Sequence, residues 1–133
     1  MAALDTNVLV RFLIRDDAAQ GEAAANLIRS GMRSGNALFI PVTVALELEW
    51  VLRSAFNFDK AAVMQAINGL LGSFELSFES ESALEAALAQ YRQSTADFSD
   101  CLHAALARQA DKLPLWTFDK AASRLDGTKL LKA

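Results

Sequence analysis

Along the chain, short apolar runs that end at an acid or a proline alternate with longer stretches whose apolar residues recur at helical spacing. The first run, Ala2-Ala3-Leu4, stops at Asp5 and predicts a buried strand whose last residue is that acid. Thr6-Asn7 is placed to cap a helix that turns Val8, Leu9, Phe12 and Leu13 inward and keeps Arg11 and Arg15 on another side. Asp16-Asp17 restarts a helix that runs through Ala24, Leu27 and Ile28 to about Met32 and is closed by Gly31 and Gly35. Ala37 to Ile40 predicts a strand stopped by Pro41, and Thr43 is placed to cap a helix reaching through Trp50 to about Phe56. Asp59 caps a helix carrying Val63, Met64, Ile67, Leu70 and Leu71 at helical spacing. Phe74 to Phe78 alternates apolar and polar residues, as a half-exposed edge strand does.

In the remaining third, Ser82 and Glu85 have the spacing of a capping box for a helix bearing Leu84, Leu88 and Tyr91. A further helix spans Asp97 to about Asp111, and Leu113 to Phe118 predicts a strand ending at Asp119. Lys120 to Leu125 starts a short helix, and Thr128 to Leu131 adds a last strand. Strands separated by helices argue for parallel βαβ units. The expected fold is therefore an α/β, three-layer domain with a central parallel β-sheet flanked by helices, one domain over residues 1–133.

Composition supports that picture. With 133 residues, 53% hydrophobic and 22% charged, the chain is long enough to bury a core and is not of disordered type. No apolar stretch reaches the roughly 18 residues that span a bilayer, and the start lacks the marks of a signal peptide, so a soluble cytoplasmic protein without a membrane partner is expected. The single cysteine, Cys101, excludes an intrachain disulfide and a cysteine-based metal site. A net charge of −3 argues against a nonspecific DNA coater, but not against an enzyme that acts on nucleic acid through its own acids.

The chemistry therefore rests on acids. Asp5 and Asp119 each stand where an apolar strand gives way to a helix, so each is either a helix cap or a ligand. Ligands of open parallel sheets bind at the carboxyl ends of strands, which favours reading the two together. Glu47 has Thr43, Val44, Trp50 and Val51 as its helical neighbours, an apolar setting in which a carboxylate needs a partner, a proton or a metal. It does not occupy the capping-box position for Thr43, which is Leu46. Glu49 has Arg53 four residues on and reads as a surface ion pair. Asp97 and Asp100 are three apart at a helix start, with Asp97 read as a cap or supporting group and Asp100 as the ligand candidate.

His103 shares a helical face with Asp100 but not with Ser99 or Cys101, so no nucleophile–histidine pair is indicated. Phosphate-cradling glycine loops are absent. Carboxylates gathered at a sheet edge repel one another, and hard oxygen donors suit Mg²⁺ or Mn²⁺. Such a site fits metal-dependent phosphodiester hydrolysis, with Thr6, Asn7, Asp97 and Thr117 placed for supporting contacts.

These motifs, Leu4-Asp5-Thr6-Asn7-Val8-Leu9, Leu46-Glu47-Leu48, Asp97-Phe98-Ser99-Asp100 and Thr117-Phe118-Asp119, resemble in kind and order those of the PIN domain, and within it the VapC-type toxin ribonucleases. The resemblance implies an Mg²⁺- or Mn²⁺-dependent endoribonuclease whose acidic quartet falls on Asp5, Glu47, Asp100 and Asp119. It also implies a homodimer and a VapB-like antitoxin whose tail occupies the active-site groove, with DNA bound only through that antitoxin. Arg11 and Arg15 after Asp5, and Lys120 and Arg124 after Asp119, are placed to hold RNA phosphates or to form solvated helix faces. Trp50 and Trp116 read as core or interface residues, with base stacking as the other use.

Two rival readings differ in class. A phosphatase of the haloacid dehalogenase type, using a nucleophilic aspartate, needs a second acid two residues after the first, where Asn7 stands. A non-catalytic α/β interaction module would use the acids only as caps.

Overall fold

The computed structural model of the protein describes residues 2–133. Its helices and strands fall into two units, Met1–Glu79 and Ser80–Ala133. The first contains α1 (Thr6–Ile14), α2 (Ala18–Arg33), β1 (Leu38–Ile40), α3 (Val42–Ser54), α4 (Lys60–Leu71) and β2 (Leu76–Phe78). The second contains α5 (Glu81–Gln93), α6 (Phe98–Gln109), β3 (Leu115–Thr117), α7 (Lys120–Ser123) and β4 (Thr128–Leu130). Both strand pairs, β1–β2 and β3–β4, are parallel, as the alternation of strands and helices requires.

In the first unit the expected opening strand is reduced to a single parallel bridge between Ala3 and Phe39. Its hydrogen bonds run from the Leu4 N–H to the Phe39 carbonyl and from the Phe39 N–H to the Ala2 carbonyl. Asp5, rather than Thr6 or Asn7, caps α1, because Asp5 keeps an extended backbone while Thr6 is already helical. Thr6, Leu9 and Val10 are the buried residues of α1, whereas Val8, Phe12 and Leu13 are only half-buried. Asp17 and Asp59 cap α2 and α4 as expected, and Gly35, at φ 73°, takes the left-handed turn beyond α2.

α3 departs most from its predicted form. It begins at Val42, with Pro41 in the cap position, so Thr43 does not cap it. The Val42 N–H instead donates to the Glu79 carboxylate (2.8 Å), an acid delivered from the end of β2. The inward face of α3 is Ala45, Leu48, Glu49 and Leu52. Glu47 is consequently exposed, and Glu49, expected at the surface, is 2% exposed and bonded by Arg53. Apolar residues lie all around α3, so their spacing could not say which side faces inward.

In the second unit α5 starts at Glu81, one residue before the expected cap, with Ser80 in the left-handed region (φ 57°) and no side-chain bond from it. α5 and α6 bury Ala83, Leu84, Ala87, Leu88 and Tyr91 with Phe98, Cys101 and Leu102, and the Tyr91 and Phe98 rings lie 5.5 Å apart. β3 is not a fully buried strand: Leu115 and Thr117 are half-buried and Trp116 is exposed. Among the described residues no helix is long and apolar enough to cross a membrane.

Candidate acidic site

In the first unit the site is built around the start of α1. The Asp5 carboxylate accepts from the Val8 N–H (3.2 Å) through one oxygen, and its other oxygen takes no part in that cap. Cap and ligand are thus compatible roles for one side chain. Thr6, buried beneath it, donates its hydroxyl to Oε1 of Glu47 on α3. This bond ties the residue after Asp5 to an exposed acid 41 positions away and so holds the Glu47 carboxylate at the start of α1.

A shallow cleft beside Asp5 is walled by Asn7, Val8, Ala24 and Leu27 and rimmed by Arg11 and Gln20. Arg11 is already occupied by Asp16 (3.1 Å) and Gln20 (2.7 Å). Arg15 donates to the Phe12 carbonyl and lies over the Phe12 ring, 5.8 Å from its centre.

In the second unit Asp119 caps α7, accepting from the Ala122 N–H (2.8 Å). Its own N–H donates to the Thr117 hydroxyl (3.0 Å), which fixes the turn after β3. Asp97 occupies the cap position of α6 but makes no side-chain cap bond, so the expected capping use of Asp97 is not made. Asp100, in the first turn of α6, is half-buried and its carboxyl is held above the ordinary value of 3.8. Partial burial is the largest cause, the charges of Asp119 and Asp97 add to it, and His103 opposes them. Lys120, Arg124 and His103 are exposed.

Within neither unit do three His, Cys, Asp or Glu side chains form a metal-holding group among the described residues. Each unit nevertheless supplies oxygen donors of the kind Mg²⁺ uses, Asp5 with Glu47 in one and Asp100 with Asp119 in the other. Mg²⁺ is commonly held by one or two carboxylates and completes its shell with water and substrate oxygens, so the donor chemistry fits. Sequence spacing located these acids but misjudged the surroundings of Glu47. The useful signal was Thr6, a hydroxyl placed directly after a strand-end acid.

Residues 2–128 match the PIN domain family, and the chain belongs to it. The fold of helices and parallel strands described above is that family's α/β type. A VapC ribonuclease of Aquifex aeolicus (strain VF5) is 22% identical over 125 residues, which cover 94% of this chain and 92% of that protein.

Proposed function

We propose that this PIN protein is an endoribonuclease, a VapC-like toxin, in which both units act as one domain. The observation that supports this most is Asp100, whose carboxyl is held above the ordinary range first by partial burial and then by the charges of Asp119 and Asp97. A divalent cation would offset both the burial cost and the repulsion of the neighbouring acids. In this reading Asp5, Glu47, Asp100 and Asp119 are the catalytic acids. Thr6 orients Glu47, Thr117 holds the turn carrying Asp119, and Asn7 and Asp97 support the rim. Lys120 and Arg124, both exposed after Asp119, hold RNA phosphates, with Arg11 and Arg15 as lesser contributors because their guanidinium groups are already engaged.

Mg²⁺ or Mn²⁺ bound by these acids would lower the pKa of the attacking water and neutralise charge on the leaving oxygen. The partners are single-stranded RNA, a second copy of the chain and a VapB-like antitoxin, with DNA reached only through the antitoxin, in the cytoplasm.

The test is cleavage of single-stranded RNA by purified protein with and without Mg²⁺ or Mn²⁺. Cleavage lost on adding EDTA, and reduced at least about 10²-fold by Asp5→Ala or Asp119→Ala, is the expected result. Undiminished cleavage in Asp5→Ala overturns the assignment of the acids.

A further inference from the structure

We propose that the exposed end of the β3–β4 pair, with the bend that follows β3, is a stacking platform for bases of single-stranded RNA beside Asp119; this rests on the nuclease reading above. Trp116 stands in β3 and Phe118 in the bend that follows it, two residues apart and directly ahead of Asp119. They are 56% and 69% exposed, although large rings are the side chains most readily buried. Lys129 stands opposite Trp116 in the parallel register and is also exposed, and it makes no ion pair among the described residues. Two exposed aromatic rings and an uncompensated cation are thus gathered at the end of this strand pair that leads into Asp119.

Aromatic side chains exposed on a sheet are a recurrent way to hold unstacked bases, because any base offers a ring face, and a neighbouring lysine meets the phosphate. Phe118 immediately precedes Asp119, so a base on its ring places the adjoining phosphate near that acid. An apolar protein partner would leave the Lys129 charge unanswered, whereas a polyanion uses it.

The experiment measures binding without cleavage, in EDTA, with a short unstructured oligoribonucleotide. The chain has two tryptophans, so a Trp50→Phe background makes Trp116 the sole fluorescent reporter. We expect single-stranded RNA to quench Trp116 and the corresponding duplex not to. Phe118→Ala should weaken binding about 5–150-fold, the range for loss of one stacked base, and should raise KM while leaving kcat nearly unchanged. Trp116→Ala should do the same; if it does not fold, Phe118→Ala carries the test, since that ring is largely in water.

Cleavage that proceeds with no quenching and an unchanged KM in Phe118→Ala overturns the platform. Conversion of a dimer to a monomer by Phe118→Ala, with RNA affinity intact, also overturns it and makes this face a contact between copies. Quenching by RNA in a protein that cleaves none, with Mg²⁺ or Mn²⁺ present, supports the platform and refutes the nuclease reading instead.

Discussion

In Met1–Glu79, Asp5 accepts from the Val8 N–H, Glu47 from the Thr6 hydroxyl, Glu75 from the Ser73 hydroxyl and Glu79 from the Val42 N–H. In Ser80–Ala133, Asp97 stands at a helix start without making the cap bond, and Asp100 lies beside both Asp97 and Asp119. Those four acids of the first unit hold a donor and serve the fold as they stand, as Asp119 does through the Ala122 N–H, whereas Asp100 is set where burial and other acids oppose its ionisation. A carboxylate that already has its donor is positioned, and one opposed by its neighbours, as Asp100 is, is poised to gain from added positive charge.

The largest effect that would sharpen this contrast is at Thr6. Thr6→Val keeps the shape and removes only the hydroxyl that orients Glu47. RNA cleavage is expected to fall about 10–100-fold, the usual consequence of removing a group that orients a ligand. Stability should change by less than about 1 kcal/mol, because exposed Glu47 can turn to water for its lost partner. Thr6→Ser should restore most of the rate. Full activity in Thr6→Val would show that the first unit does not position Glu47 through this bond.

Ion pairs draw a second contrast. Glu49 is buried and relies on Arg53, whose side chain is 40% exposed. In the second unit, Arg108 and Asp126 pair at 3.2 Å with both side chains mostly in water. Arg53→Met leaves a buried carboxylate without its main partner, and water reaching the site softens the loss to about 2 kcal/mol in urea unfolding. Arg108→Met should cost about 0.5 kcal/mol or less. Equal losses would mean that burial of Glu49 has no energetic weight.

Much of this fold was legible from the sequence, because strand-end acids and proline or glycine stops mark element boundaries locally. Asp17 and Asp59 could be assigned as caps from a few neighbouring residues. The missing information was long-range. No local rule predicts that the N-terminus of α3 takes its cap from Glu79, 37 residues on. Nor does a helix with Val44, Leu46, Leu48, Trp50, Val51 and Leu52 reveal its inward side, which is why Glu47 and Glu49 exchanged places relative to expectation. The apolar setting expected for Glu47 is not observed: the residue is exposed and its carboxylate accepts from the Thr6 hydroxyl. Trp50 and Trp116, read as core or interface residues with base stacking as the other use, are 59% and 56% exposed, which removes only the core reading, since nothing in their sequence spacing distinguishes a core ring from a surface one.

The smallest expected effects are the most discriminating, because they have opposite signs in the two units. Asp100 has a folded-state pKa above 3.8, so its contribution to stability is fully present below that value and is lost as pH rises through the raised one. Asp100→Asn removes this dependence. In metal-free buffer the variant should become progressively more stable than the parent across that window and keep the advantage at neutral pH, read as Tm, while RNA cleavage drops. Glu75 is the reverse: the Ser73 hydroxyl, helped by its own backbone N–H, holds its carboxyl below 4.5. Its contribution is present above 4.5 and is lost as pH falls through the lowered value, so Ser73→Ala should destabilise at neutral pH and match the parent in acid. Added Mg²⁺ should narrow the Asp100→Asn gap by stabilising the parent, and should leave the Ser73→Ala gap untouched. Parallel pH profiles for the two variants would mean that the carboxylates of the two units are held alike, and the division between positioned and poised acids would fall.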